Sequence, residues 1–355
     1  MSENSAYTPD EPYRAGFQAG FNQGFGAGFE NGFDRGFQAG QSQAHYDSRR
    51  ARKEEKRAEK LRRREEKAAA SAGQTPEPAS RKPKRKAHGA TVTAKRQISP
   101  DMVRLTISAP GLVGQDLDKT DHYIKILFVP EGADYAWPFD LADARANQPR
   151  HLRPVTRTYT LRSVDTQTGE CEVDFVLHGD AGLAGPWARD VEVGHEFGFA
   201  GPGGKWKPEP GYDTFVLAGD EAAAPAVAAA LEKLPAGAQA TAFVEVEAPG
   251  HEIEMPERPG VTVQWVYRNG ATPGAPLAAA VRNHGIPAGR TSWFIHGVAE
   301  MIKDLRRFLF KENGVDKADV SISGYWRLGM TEDLWQSTKG EFVAAMEVEE
   351  KGAAD

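Results

Sequence analysis

The sequence predicts a six-stranded antiparallel β-barrel followed by an α/β layer, with a low-complexity and helical extension ahead of both. Three observations carry this. Between residues 89 and 210, short β-branched or aromatic runs recur between Gly, Pro and Asp turns, the mark of an antiparallel barrel. After Gly211 strands alternate with helix-length runs, which implies a parallel sheet with helices on its faces. The first 88 residues show neither pattern.

The extension divides in two. Residues 1–46 contain "GFQAGFNQGFGAGFENGFDRGFQAG" from Gly16 to Gly40, with glycine at every fourth position. That spacing sets neighbouring glycines on nearly one helix face, where another helix can approach closely. Glycine costs a helix about 1 kcal/mol each, so a flexible tail is equally consistent. Residues 16–40 are therefore a candidate for self-association or for a protein partner. Residues 47–88 hold "DSRRARKEEKRAEKLRRREEKAAA", rich in helix formers with opposite charges three and four apart, then a Pro-containing linker ending in "RKPKRK". A short basic run in a linker reads as solvated, and specific nucleic-acid binding is not expected from it.

Up to residue 90 there are 18 Lys and Arg against 12 Asp and Glu; the remaining 26 and 38 leave a body at −12. The single cysteine, Cys171, excludes an intramolecular disulfide, a four-thiolate zinc site and an iron–sulfur cluster held by this chain alone. No stretch approaches the roughly 18 apolar residues of a membrane span, and the N-terminus lacks a signal-like apolar segment, so a cytoplasmic protein is expected.

The barrel strands (residues 89–210) are "ATVTAKRQIS", "MVRLTISA", "HYIKILFVP", "RTYTLRSVD", "CEVDFVLHG" and "HEFGFAGPGGKW". The α/β domain (211–346) follows in the order "DTFVLAGD" strand, "EAAAPAVAAALEKL" helix, "AQATAFVEV" and "VTVQWVYR" strands, "PLAAAVRNHG" helix, "TSWFIHGV" strand, "EMIKDLRRFLFKEN" helix and "DVSISGYW" strand. Residues 347–355 read as an acidic tail.

The chemistry gathers on "RTYT". Arg157 supplies a planar fork of donors, Tyr159 a flat ring and Thr160 a hydroxyl, a set suited to a flavin. An exposed strand face with a Thr/Tyr cross-strand pair is as consistent with these residues alone. Together with "VDFVLHGDAGLAGPWA", the "GPGG" turn, "LAGDEAAAPAVAAALEKLP", "WFIHGVAEMIKDLRRFL" and "GYWRLG", the strand resembles the siderophore-interacting protein family of FAD-dependent ferric-siderophore reductases, within the ferredoxin-reductase-like superfamily. The resemblance runs from about residue 90 to 330.

It implies a Greek-key FAD-binding barrel and an NAD(P)H-binding-like α/β domain. Arg157, Thr158, Tyr159 and Thr160 match the family's flavin-contacting strand; Asp174, Phe175, Val176, Leu177 and His178 match the next one. Main-chain amides of the following loop, through Ala184, Gly185 and Pro186, would face the FAD phosphates, with Trp187 closing the loop. Asp220 sits in the first strand-to-helix turn of the second domain, where a dinucleotide gathers. Tyr325, Trp326 and Arg327 would lie beside the cofactor from that domain. The chain departs from the family pattern at Leu183, Ala222 and Val298. The last two fall on the nicotinamide side, leaving NADH, NADPH or a ferredoxin as donor.

The expected substrate is a ferric siderophore, often anionic, so a positive mouth is needed on an acidic body. Arg153, Arg162, Arg306, Arg307 and Arg327 are the candidates. No residue set shows metal-ligand spacing, so iron would stay with its chelator and leave it as Fe(II), and no acid, base or nucleophile from the protein is required.

Overall fold

Period-two burial builds the barrel. In β2 (Met102–Ser108) Val103, Leu105 and Ile107 join one core, and in β5 (Glu170–Val176) Cys171, Val173 and Phe175 join it too. Each such large side chain contributes about 1.5–3 kcal/mol by leaving water. The other strands are β1 (Ala87–Ser99), β3 (Tyr123–Phe128), β4 (Val155–Val164) and β6 (Glu196–Gly203), closed in the order β1-β2-β5-β4-β3-β6 with antiparallel pairing throughout. This is the barrel the sequence predicts. The computed structural model describes residues 87–180 and 182–351, Lys351 by its backbone alone. The Gly/Phe repeat, the charged run and the basic linker up to residue 86 lie outside the described residues, as do residues 352–355.

The connection from β3 to β4 lays Trp137 over the outside of β6, so close that a Cβ on Gly198 would fall 2.3 Å from its ring. The same connection forms α1 (Leu141–Asn147), capped by Asp140, whose carboxylate accepts from Ala142 N and Asp143 N at 2.7 and 2.9 Å. The sequence reading had no element there.

The second sheet has the order β11-β10-β7-β8-β9, every pair parallel: β7 (Thr214–Gly219), β8 (Gln239–Val246), β9 (Val261–Tyr267), β10 (Thr291–Val298) and β11 (Val320–Trp326). Both faces are covered, and β7 shows how. Phe215 and Leu217 pack with α3 (Ala224–Glu232), while Val216 and Ala218 pack with α4 (Ala275–His284) and α5 (Ala299–Arg306) on the other side. Gly219 is where α3 comes closest: a Cβ there would meet the Ala223 Cβ at 2.8 Å.

Two departures bear on the site. The run expected as one helix after β10 is α-helical only to Arg306 and continues as a π-helix over Arg307–Glu312. After β11 comes a 20-residue helix, α6 (Glu332–Lys351), which crosses position 346 and takes the start of the expected acidic tail into the fold. Its Trp335 and Met346 are 1% and 4% exposed, and Arg306 and Lys317 both bind Glu350. No described helix is long and apolar enough to cross a membrane.

Candidate functional site

The first turn of α6 sits on β4. Arg157 donates to Asp333 through Nη1 and Nη2 at 3.1 and 3.0 Å, and its Nε stands 3.7 Å from Glu332. The main-chain N–H of Thr158 donates to Glu332 at 3.2 Å. Thr331 caps the helix, accepting from Leu334 N at 3.4 Å. Burial raises the Glu332 pKa while Arg157 opposes it. Lys125, paired across from Thr158 in β3, also acts on Glu332; burial lowers the pKa of half-buried Lys339, and the Lys125 charge adds to it. Two cations, Arg157 and Lys125, therefore act on this turn, and of these the sequence points only to Arg157. "TED" at 331–333, a cap followed by first-turn acids, was the legible signal for the helix; its partner on β4 was not legible.

Beyond Arg157, β4 divides by face. Tyr159 packs on the barrel core, its ring 4.3 Å from that of Phe175, and burial raises its pKa. Thr160, one residue out of phase, is 8% exposed and is a hydrogen-bond partner of the hydroxyl of half-buried Tyr325. Arg162 bonds Glu232 of α3 at 2.7 Å and is itself 8% exposed. The strand expected to hold a cofactor thus also joins the barrel to the α/β domain.

Tyr325 and Trp326 end β11, and the carboxylate that orders this end is Asp220, 1% exposed. Its Oδ1 accepts from Ala222 N and Ala223 N at 3.1 and 3.3 Å; its Oδ2 accepts from Val298 N and Trp326 Nε1, both at 2.8 Å. Burial, with Glu221 and Glu245 nearby, raises its pKa to about 7. Gly297 lies so near that a Cβ would be 2.7 Å from Oδ2, at a φ of +139°. Asp220 is therefore a junction of β7, β10 and β11 rather than a group facing outward, and it already satisfies the Ala222 and Ala223 amides of the turn where the sequence places a dinucleotide. Beside it His296 stacks on Phe294 at 4.0 Å, its Nε2 3.0 Å from Ser321 Oγ, and burial lowers its pKa to about 3.

The second expected strand is mixed. Phe175 lies in the barrel core. Asp174 is committed to Arg104 in a buried two-bond pair at 2.6 and 2.8 Å. Val176 packs against the α/β domain's core, and Leu177 N donates to Asp101 O at 2.7 Å. His178 is exposed, and the loop after it turns through Gly179 and Gly182 at φ +70° and +85°, with nothing within 4 Å of a Cβ built on Gly179. The loop leads into the seven-residue helix α2 (Ala184–Asp190), whose Ala184 and Gly185 are buried and Pro186 half-buried. Trp187 makes edge contacts with Phe128, Phe175 and Phe197 at 5.6, 5.7 and 5.2 Å, so it closes the barrel end as much as the loop.

The candidate substrate arginines are dispersed. Arg306 is tied to Glu350, Arg307 is exposed beside Glu312, and Arg153 donates to the Gln148 carbonyl. Arg327 bonds Glu300 at 3.1 Å and lies 4.7 Å over the Phe342 ring. Among the described residues no three His, Cys, Asp or Glu gather as a metal site.

The donor set of β4 fits a phosphate-bearing cofactor. Arg157 and the Thr158 amide already hold two carboxylates, which stand where an anionic group would be gripped. The open glycine turns at 179 and 182 allow main chain to approach a ligand closely.

Comparison with known proteins agrees. Residues 91–206 match the siderophore-interacting FAD-binding domain and residues 212–329 the siderophore-interacting protein family. An uncharacterised protein of Mycobacterium tuberculosis is 42% identical over 273 residues, covering 73% of this chain and 96% of that one. The ferric vibriobactin reductase ViuB of Vibrio cholerae is 30% identical over 253 residues, 69% of this chain and 91% of its own. The crystal structure of a siderophore utilization protein from T. fusca superposes with a TM-score of 0.60 at 30% identity, covering 69% of this chain and 94% of that one. With both halves of the described fold matched in order, the chain belongs to the siderophore-interacting protein family and carries its FAD-binding domain.

Proposed function

We propose that this protein is an FAD-dependent reductase of ferric siderophores that releases iron as Fe(II) in the cytoplasm, with NADH or NADPH as electron donor. The observation that carries the reading is the anion-holding edge of β4, Arg157 and the Thr158 amide, set two residues from the Thr160–Tyr325 contact between the barrel and the α/β domain. The fold supports it, and ViuB, a ferric vibriobactin reductase by name, is a relative along most of its length.

In this reading Arg157 and Thr158 N hold the cofactor's phosphates in place of Glu332 and Asp333, and the Gly179–Gly185 main chain adds donors. Tyr159 gives a ring face at the barrel end, and Tyr325 and Trp326, fixed by Thr160 and Asp220, close the site from the α/β domain. FAD, when bound there, would supply the chemistry that links a hydride donor to single-electron reduction of ferric iron. Lys125, Lys339 and Arg327 supply the positive potential for an anionic chelate. The iron stays on its chelator until reduction weakens hard-oxygen binding.

The test is iron release. Purified protein with FAD, NADH or NADPH and a ferric siderophore is followed with a ferrous-specific chromogenic chelator. Colour that needs both protein and FAD supports the reading; reduction of quinones or dyes with no ferrous signal refutes it in favour of a general flavin reductase.

A further inference from the structure

The matched family region ends at residue 329, and α6 begins beyond it at Glu332. Most of this added helix is anchored. Trp335 is 1% exposed, and a Cβ on Gly324 would come within 3.0 Å of its ring. Lys339 Nζ donates to Ser323 Oγ at 3.1 Å, the Phe342 ring lies under Arg327, and Arg306 and Lys317 hold Glu350. The stretch just before Trp335 is held otherwise. Gly329 turns the chain at φ +68°, with nothing within 4 Å of a Cβ built on it, and none of residues 330–334 is buried. Apart from bonds within the turn itself, this stretch is gripped by β4.

That grip is the donor set offered to the cofactor: Arg157 to Asp333, and the Thr158 N–H to Glu332. With its side chain 12% exposed, Arg157 would be a desolvated charge left uncompensated if no anion met it. The carboxylates supply that anion. They carry the same charge as a diphosphate, and Arg157 with the nearby Lys125 cannot offset both at once. An ion pair whose acid is 65% exposed contributes little, so the turn can leave β4 while Trp335 and the helix after it stay in place.

We propose that residues 330–334 form an acidic latch: Glu332 and Asp333 hold the β4 edge until the diphosphate of FAD displaces them, and the chain then moves outward between Gly329 and Trp335. This rests on the reading that Arg157 and the Thr158 amide hold the cofactor's phosphates.

The test is cleavage of the full chain by a glutamate-specific protease with and without saturating FAD, counting by mass spectrometry the fragments that begin at Asp333. Cutting of a segment that opens and closes quickly follows its open population. FAD is expected to speed this cut at least about tenfold. Glu332→Gln combined with Asp333→Asn, which keeps side-chain size, should tighten FAD binding at least about tenfold in a fluorescence titration. A cut that FAD leaves unchanged or slows, in protein whose flavin fluorescence shows it loaded, overturns the latch and leaves the cofactor reading intact. Unchanged or weaker FAD binding by the double variant overturns it too. FAD bound by neither protein sinks the cofactor reading, and the inference with it.

Discussion

Arg157 and Asp333, 176 positions apart in the chain, meet as a two-bond ion pair at 3.1 and 3.0 Å between β4 and the first turn of α6. The Arg157 side chain is 12% exposed and the Asp333 side chain 65%, so the guanidinium is the fixed member and the carboxylate the replaceable one. Asp333 and the neighbouring Glu332 compete with any phosphate for the same donors. Arg157→Ala should weaken FAD binding by at least about tenfold, the loss of one charge-assisted pair. Asp333→Asn should tighten it several-fold by removing a competitor. Flavin fluorescence quenching measures both, and FAD affinity unchanged in Arg157→Ala would remove β4 from the cofactor site.

The barrel, the parallel sheet and their order were legible in the sequence because period-two burial and strand–helix alternation are local patterns, as in β2 and β7. What Arg157 touches was not. Its partners lie in a helix whose sequence, "EDLWQSTKGEFVAAMEVEEK", mixes Gly, Ser, Thr and β-branched residues, so propensity gave it no weight. Packing of Trp335 under Gly324 and the pairs to Glu349 and Glu350 hold it instead. The sequence offers Asp220 as a cofactor-binding residue of the first strand-to-helix turn; its role as a junction depends on Val298 and Trp326, 78 and 106 positions away, and was not legible. Strand alternation offers Arg162 to a substrate but does not say which neighbour covers that face; in the fold α3 covers it, through Glu232.

The Arg162–Glu232 pair makes a prediction about stability. Arg162 has one bond to Glu232, and its Nε is buried without a partner, so the guanidinium is already poorly compensated. Removing the carboxylate strands a buried charge, whereas removing the arginine leaves only a half-exposed Glu232. Glu232→Ala should cost more than Arg162→Met, by about 1–2 kcal/mol after allowing for solvent screening at Glu232. Paired urea denaturation curves decide it, and the reverse order would show that Arg162 does not need its partner.

Asp220 and His296 set opposing pH dependences. The folded Asp220 pKa, about 7, exceeds its ordinary 3.8, so the folded state holds the proton that the unfolded chain releases, and stability falls as pH rises from about 4 to 7. The folded His296 pKa, about 3, lies below its ordinary 6.5, so the unfolded chain binds the proton first, and stability is lost as pH falls from 6.5 towards 3. The two trends cancel between about pH 4 and 6.5. His296→Phe should therefore uncover a stability that declines with rising pH, and Asp220→Asn one that climbs. Melting temperatures of the three proteins across that range test the signs; parallel profiles would mean that neither group titrates on unfolding as its burial requires.

The central claim is electron flow from a nucleotide through bound flavin to chelated iron. It is tested most directly under anaerobic conditions by following the flavin absorption of the protein with FAD while NADH and then a ferric siderophore are added. The expected result is a protein-bound flavin spectrum that bleaches with NADH and returns in proportion to the ferric chelate. Protein that takes up no FAD, or bound and reduced flavin that the ferric chelate leaves bleached, would contradict it.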